Sequence, residues 1–228
     1  MATTEGRAAG GSPRPLRRDA ELNRRRIIEA AREVFATRGL TATLDDVAHH
    51  AGVGIGTVYR RFPTKEALVE VALEDRLEEL AGLAEAALLA PTAWEGLTRL
   101  ICRITDMHAA DRGLRDAALG SRRRARVGER MAPPVQRLVE RAQAEGTLRG
   151  DFDVHDIPLL MMMVSEIAHH SEQFRPDTYV RYRQLLLDGL RAAPSTGDLG
   201  APLTLEDVDA IVGRWLPAPE PRQAGPGR

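Results

Sequence analysis

Residues 43–68 read TLDDVAHHAGVGIGTVYRRFPTKEAL, and this stretch decides the fold. Thr43 can begin a short helix, because its hydroxyl can cap the helix N-terminus and Asp46, three residues later, completes a capping-box-like pair. Gly52 permits the left-handed residue of a tight turn. A second short helix follows and ends before Pro63, since the residue before a proline avoids helical geometry. Two short helices joined by a glycine-containing turn indicate a helix-turn-helix.

The spacing inside this motif supports the same interpretation. Ala48 is small where the two helices should cross, Gly52 follows four residues later, and Val58 comes six residues beyond the glycine. We expect Val58 and Phe62 to anchor the second helix in the core. This pattern can also occur by chance in helical proteins that bind no DNA, so the flanking residues must decide between the two.

The segment GTVYRRFPTKEAL, residues 56–68, closely resembles the DNA-binding domain of the tetracycline-repressor (TetR) family. The resemblance covers residues 22–70, and a weaker similarity to the regulatory domains of actinobacterial members covers residues 100–192. It implies an all-helical homodimeric repressor whose C-terminal domain binds a small ligand of unspecified identity. The chain has Gly54 where many members carry a capping serine, at a cost of a few tenths of a kcal/mol.

The second helix of the motif, expected over residues 55–62, should lie in the major groove with its first residues facing the bases. Ile55, Gly56 and Thr57 occupy that end. An apolar side chain or a threonine can contact a thymine methyl, and glycine lets the backbone approach closely. Arg60, one helical turn later, can reach a guanine or a phosphate.

Other residues are predicted to hold the DNA backbone. Arg61 and Lys65 are candidates for phosphate contacts, and Lys65 falls in the first turn of the next helix, where free backbone N–H groups also favour anions. The helix N-terminus at Thr43 offers a similar site. Tyr59 resembles a phosphate-contacting tyrosine of the family, although packing in the core stays open for it. The predicted DNA-binding residues are Thr43, Ile55, Gly56, Thr57, Tyr59, Arg60, Arg61 and Lys65.

Apolar residues at helical spacing predict an all-α fold of about nine to ten helices, without a sheet. The expected helices are 19–38, 43–51, 55–62, 65–90, one opened by Thr92, 114–119, one starting at Pro133 or Pro134 and ending at Gly146, 154–172, 177–191 and 205–215. The predicted divisions are a disordered basic arm (1–18), a three-helix DNA-binding domain (19–64), an effector-binding and dimerisation domain (65–216) and a disordered tail (217–228).

Charge is distributed unevenly between these divisions. Residues 1–65 carry 12 basic and 7 acidic side chains, whereas the rest of the chain carries 20 basic and 26 acidic ones. A basic N-terminal part on an acidic body suggests that the N-terminal part meets a polyanion. No apolar run reaches the roughly 18 to 20 residues that span a membrane. Cys102 is the single cysteine, so we expect a reducing, cytoplasmic location.

The C-terminal domain is expected to bind the effector and to form the dimer. Methionines 161–163 suit an adaptable pocket, and they suit a core equally well. The last two long helices should pair with those of a second copy, through a stripe that runs from Tyr179 to Leu190 and includes Tyr182, Leu186 and Gly189. The predicted pocket residues are Ile101, Ile104, Met107, His108, Leu138 and Met162.

Several residues allow a second interpretation. A metal site could form from Glu166, His169 and His170, with Asp106 and His108 from another helix, although these residues make no closed set of four ligands. The favoured interpretation is that they form a polar part of the pocket or a solvated rim of the dimer. Cys102 is expected to be a buried small residue rather than a redox sensor. Arginines 122–124 are expected in a solvated loop rather than on DNA.

These observations favour a ligand-responsive DNA-binding repressor that binds double-stranded operator DNA and a small molecule. An enzyme is set aside because the chain contains no nucleophile elbow, phosphate loop or HExxH motif, so we expect no catalytic site and no cofactor. A helical adaptor that kept the motif for packing, and a transcriptional activator, remain alternatives.

Overall fold

The computed structural model describes residues 14–119, 121–194 and 197–215, without the side chains of residues 14–19, 119, 121–127 and 215. Within these ranges the chain forms ten α-helices and no β-strand, which confirms the predicted all-α class. A 3₁₀ turn, Gly39–Thr41, joins the first two helices, and Leu148 and Arg191 form an isolated β-bridge. The helices are α1 Arg14–Arg38, α2 Leu44–Ala51, α3 Ile55–Arg61, α4 Lys65–Leu88, α5 Ala93–Ala110, α6 Arg112–Leu119, α7 Ser121–Ala144, α8 Asp156–Ser171, α9 Thr178–Leu190 and α10 Leu205–Trp215.

Side-chain caps set the start of several helices where the sequence predicted them. The hydroxyl of Thr64 accepts a hydrogen bond from the backbone N–H of Ala67 at 3.2 Å and begins α4. Thr92 accepts in the same way from the N–H of Glu95 at 3.2 Å and begins α5. Each cap satisfies one of the N–H groups that a helix leaves free at its start.

The first helix begins at Arg14 rather than at Asp19. Residues 14–18, predicted as part of a disordered arm, are therefore helical. The rest of that arm and the predicted tail, 217–228, lie outside the described residues. The helix predicted at 205–215 is confirmed as α10.

The predicted start of α7 is wrong. Pro133 and Pro134 lie inside this helix rather than at its first position, and residues 122–124 are helical instead of forming a loop. A proline in a helix interior removes an N–H donor and usually disfavours the helix. Here α7 packs along α4, with Val135, Leu138 and Val139 buried. This burial outweighs the local preference.

The described residues pack into two large hydrophobic cores, and α4 belongs to both. Its first half contributes Leu68 and Leu73 to a core formed with α1, α2 and α3. Its second half contributes Leu80 and Ala84 to a core formed with α5, α6, α7, α8 and α9. The packing boundary therefore falls within α4, whereas the sequence analysis placed the domain boundary before Lys65.

Helix α6 is the second link between the two cores. Leu114 packs in the C-terminal core and Ala117 in the N-terminal one. Gly113 allows the close approach of α6 to α1, because a Cβ at that position would lie 2.8 Å from the Cβ of Phe35. The carboxylate of Asp116 accepts a hydrogen bond from the Leu40 N–H at 2.8 Å. Movement of α6 would therefore act directly on the end of α1.

Candidate nucleic-acid interface and effector region

Helix α2 starts with the predicted capping box. The hydroxyl of Thr43 accepts from the Asp46 N–H at 3.1 Å, and the Asp46 carboxylate accepts from the Thr43 N–H at 2.7 Å. These bonds to Thr43, with the guanidinium of Arg38 at 2.7 Å, lower the pKa of Asp46 to about 2. Asp45 lies in the same first turn. The start of α2 is thus capped and negatively charged, and a phosphate contact at Thr43 stays a prediction.

The turn of the motif has the predicted geometry. Gly52 adopts the left-handed conformation, with φ of 64° and ψ of 36°. Its N–H donates to the carbonyls of Ala48 and His49, and Arg26 donates from its guanidinium to the Ala51 carbonyl at 3.2 Å. Ala48 is buried at the helix crossing. The turn therefore holds α3 at a set angle to α2.

Helix α3 presents one face to the N-terminal core and the other to solvent. Val58 is fully buried and Phe62 nearly so, as predicted. Tyr59 is 52% exposed, which removes the alternative that it is a core residue. Gly56, Arg60 and Arg61 are exposed as well, whereas Ile55 and Thr57 are half-buried. Ile55 also packs against the core, so only part of its side chain could reach a base.

Lys65 lies in the first turn of α4, as predicted, but it has a partner that the sequence did not reveal. Its ammonium group donates a hydrogen bond to the backbone carbonyl of Leu40, in the 3₁₀ turn after α1. The side chain is half-buried. Lys65 therefore connects α4 to the segment between α1 and α2, and its contact with phosphate stays a prediction.

Sequence reasoning missed two arginines of α1 that belong to this region. The guanidinium of Arg24 lies 5.9 Å from the ring centre of Phe62, beside the last turn of α3. The contact of Arg26 with Ala51 was missed as well. The signal was present in the sequence, since residues 24–26 are three consecutive arginines before an apolar helix face.

Four of the six predicted pocket residues belong to the C-terminal core, and a fifth is buried beside α8. Ile101, Ile104, Met107 and Leu138 are buried in the C-terminal core. His108 is buried beside Ser165, with its Nδ1 3.3 Å from the serine Oγ. The sixth, Met162, packs elsewhere, in a small cluster with Val208 and Val212 of α10. Its neighbour Met161 joins the core instead, because successive residues of a helix point about 100° apart.

The polar residues considered for a metal site have protein partners instead. Asp106 accepts hydrogen bonds from the Tyr179 hydroxyl at 2.9 Å and from Arg183 at 2.6 Å. Glu166 pairs with Arg115 at 3.4 Å and with His170 at 3.3 Å. In the ranges that the structure describes, no three His, Cys, Asp or Glu side chains lie close enough to share a metal ion. Cys102 is half-buried, and burial raises the pKa of its thiol.

Helices α8 and α9 carry large apolar side chains that point to solvent. The residues of the stripe predicted on α9 differ in exposure. Leu190 is buried and Tyr179 is half-buried, whereas Tyr182 is 47% exposed. Next to it, Leu185 is 56% exposed, and Met163 on α8 is 51% exposed. We call Met163, Tyr182 and Leu185 the apolar face. Tyr182 and Leu185 lie about one helical turn apart on α9, and α8 packs against α9, so these exposed side chains form a candidate interaction surface.

Comparison with known proteins places both halves of the chain. The profile of bacterial regulatory proteins of the tetR family matches residues 27–72, and that of the C-terminal domain of SbtR-like transcriptional regulators matches residues 92–192. The regulator SrpR of Pseudomonas putida is 28% identical over 147 residues, which are 60% of this chain and 68% of SrpR. These similarities are to regulators, in agreement with the expectation that the chain is not an enzyme.

Two solved structures extend the comparison. A TetR transcription regulatory protein from Mycobacterium vanbaalenii is 35% identical, over 78% of this chain and 99% of that one, with a TM-score of 0.46. The regulator FadR of Bacillus subtilis, solved in complex with stearoyl-CoA, has a TM-score of 0.53 at 20% identity, over 72% of this chain and 96% of FadR.

No helix in the described ranges combines the length and apolar character needed to cross a bilayer.

Proposed function

The chain belongs to the TetR family of bacterial regulatory proteins, and we propose that it is a homodimeric repressor that a small organic effector releases from its operator. The observation that carries the proposal is the apolar face on α8 and α9. Leaving three large apolar side chains in water is unfavourable, and a second copy can cover the same face by two-fold symmetry. The four helices would then form the dimer core.

The DNA-binding end of the proposal follows from the exposure of α3. Thr57 and Arg60 would face base edges, with Ile55 and Gly56 beside them. Tyr59, Arg61 and Lys65 would hold phosphates, together with the helix terminus at Thr43. In a dimer the two copies of α3 would contact half-sites about one DNA turn, or 34 to 36 Å, apart.

The packing of α4 and α6 supports the effector half of the proposal. An effector would lie among Ile101, Ile104, Met107, His108 and Leu138, with Met161 in the place first expected for Met162. Both linking helices border this region and also pack against the N-terminal core. Their displacement would change the spacing of the two DNA-binding domains. The effector can shift DNA binding only by its difference in affinity for the two spacings.

The proposal is tested by a matched pair of substitutions. Leu185→Glu places a charge on the apolar face, and Leu89→Glu places it on a leucine that is 86% exposed after α4. Sedimentation at micromolar concentration should give a dimer for the wild type and for Leu89→Glu, and a monomer for Leu185→Glu. Affinity for DNA from upstream of the protein's own gene should fall by an order of magnitude or more only in Leu185→Glu, because a monomer loses the second half-site.

Three results would contradict the proposal. A wild-type monomer at micromolar concentration removes the dimer. In a reporter strain, removal of the regulator should raise expression from the upstream fragment; a fall in expression would identify an activator instead. Absence of specific binding to that fragment would favour the adaptor alternative.

A further inference from the structure

Four polar side chains meet where α5, α6 and α8 pack together. They are His108 of α5, Arg112 and Arg115 of α6 and His169 of α8, and we call them the polar cluster. Arg112 donates from Nη2 to Nε2 of His169 at 3.0 Å. His108 contacts Ser165, one helical turn before His169 on α8. The cluster therefore draws on all three helices and lies beside the predicted effector region.

Each member of the polar cluster has a buried nitrogen without a hydrogen-bond partner in the described part of the chain. The four atoms are Nε2 of His108, Nε of Arg112, Nη1 of Arg115 and Nδ1 of His169; of these, Nη1 of Arg115 lies 3.4 Å from the Glu166 carboxylate without forming a hydrogen bond. Nε2 of His169 accepts from Arg112, so its Nδ1 carries the proton and is a donor. A buried donor that remains unsatisfied costs about 1–3 kcal/mol. The nitrogens of Arg112, Arg115 and His169 are donors, and three buried donors on neighbouring helices favour an acceptor that binds between those helices.

The charges around the polar cluster favour an anion as that acceptor. Arg115 is already paired, at 2.9 Å from Asp116 and 3.4 Å from Glu166. Arg112 has no carboxylate within ion-pair distance among the described residues; besides His169 it reaches the backbone carbonyl of Thr37 at 3.2 Å. One guanidinium in a half-buried position is therefore left without a counter-charge.

The two histidines contribute hydrogen bonds rather than charge. His108 is 4% exposed, and burial, with the positive charge of Arg115, lowers its pKa to about 4. Burial and the charges of Arg112 and Arg115 also lower the pKa of His169. Both imidazoles are consequently neutral at pH 7. A bound anion would meet one uncompensated guanidinium, a shared second one and the Nδ1–H group of His169; His108 adds another N–H in the tautomer that carries its proton on Nε2.

We infer that the polar cluster binds the carboxylate or phosphate group of an anionic effector. The inference rests on the proposed function and names the chemical class of the effector. The planar guanidinium of Arg112 matches such a group with two parallel hydrogen bonds. Glu166, which is partly exposed, would yield Arg115 to the incoming anion.

The site also offers a route to the DNA-binding domain. Arg112 holds the Thr37 carbonyl at the end of α1, and Asp116 holds the Leu40 N–H. Leu40 in turn accepts from Lys65 through its carbonyl. An anion that draws Arg112 away from Thr37 would loosen the contact of α6 with α1. Thr37 lies only three residues before Leu40, whose carbonyl positions Lys65.

The test titrates the full chain, without DNA, with defined probes by calorimetry. The probes are benzoate and octanoate, each beside its neutral amide, and inorganic phosphate. At least one anion should bind saturably, and a carboxylate that binds should do so more tightly than its amide. Arg112→Gln should weaken this binding by about tenfold or more, the value of a charge-assisted hydrogen bond. Arg137→Gln, on the exposed side of α7, should leave it unchanged.

A second measurement uses the wild-type protein alone, in case Arg112→Gln fails to fold. Imidazole NMR should show the pKa of His169 rising when the anion binds, because a negative charge beside the ring favours its protonated form. Binding of phosphate alone would identify a phosphorylated effector, and binding of carboxylates alone an organic acid; both support the inference.

Three results would overturn the inference. They are equal affinity for acids and amides, unchanged anion affinity in a folded Arg112→Gln, and no binding of any probe at millimolar concentration with an unmoved His169 pKa. Since no DNA is present, these outcomes leave the repressor proposal standing. Failure of operator binding would likewise leave the anion titration unaffected.

Discussion

Replacing Gly113 by alanine tests the crossing of α6 and α1, on which the proposed coupling between the two halves of the protein depends. A Cβ at residue 113 would lie 2.8 Å from the Cβ of Phe35 and 2.9 Å from its carbonyl oxygen. Phe35 is fully buried, and its backbone cannot move without displacing α1. Gly82→Ala in α4 is the matched control, because apart from the adjoining backbone of α4 itself no atom lies within 4 Å of the position a Cβ would occupy there.

The two substitutions should change stability in opposite directions. Alanine is favoured over glycine inside a helix by about 1 kcal/mol. At Gly82 this gain is the main effect, so the free energy of unfolding should rise by up to about 1 kcal/mol. At Gly113 this gain is opposed by overpacking, which costs typically 1–3 kcal/mol; because the close contacts there include backbone atoms of Phe35, we expect about 2–3 kcal/mol, the upper part of that range. The net result should be a loss of about 1–2 kcal/mol.

Thermal unfolding followed by circular dichroism at a fixed protein concentration measures both effects. A change of 1 kcal/mol moves the midpoint by about 2–4 °C in a domain of 150 to 250 residues. Gly113→Ala should therefore unfold some 2–8 °C below the wild type and Gly82→Ala up to about 4 °C above it. If Gly113→Ala melts at or above the wild-type temperature, the close approach of α6 to α1 is incorrect.

The remaining predictions concern four single side chains. The pKa of Asp46 is lowered to about 2, so the contribution of its carboxylate to the free energy of unfolding is complete above the usual pKa near 4 and disappears as the pH falls through about 2. Denaturation measured against pH should show this loss in the wild type but not in Asp46→Asn. In a dimer, Lys65→Ala should flatten the slope of log K for DNA binding against log salt concentration by about 1.8, on specific and scrambled DNA alike; an unchanged slope would remove Lys65 from the phosphate contacts. Arg60→Ala should lose about 1–3 kcal/mol of discrimination between bases at one position per half-site. Equal weakening on both duplexes would make Arg60 a positioning residue. Because burial raises the pKa of the Cys102 thiol, it should react with a thiol reagent at pH 8 more slowly than free cysteine, and an equal rate would contradict its half-buried position.

The helix-turn-helix could be predicted nearly residue by residue because its signals are local. The capping box joins Thr43 to Asp46, three residues apart, and the turn depends on the conformational freedom of Gly52. The inward positions of Val58 and Phe62 follow from helical periodicity. Such interactions lie within one or two turns of chain, where the sequence states both partners.

The pocket residues could be predicted only in part. Helical spacing identified Ile101 and Leu138 as apolar positions, and the core contains both. It could not distinguish Met161 from Met162, since that choice depends on how α8 is rotated between the core and α10. The sequence placed His108 in the pocket and offered His169 for a metal site, a polar part of the pocket or a dimer rim, but it did not reveal the contact of His169 with Arg112.

The sequence by itself determined the helices of the DNA-binding motif, their caps and turn, and the uneven charge that points to DNA. Tertiary structure alone decided that Lys65 holds the Leu40 carbonyl, that α7 continues through Pro133 and Pro134, and that Arg112 meets His169. Arg112 and His169 are 57 residues apart in the chain. Their contact depends on the angle and rotation at which helices pack, and burial summed over a whole interface outweighs the preferences of individual residues.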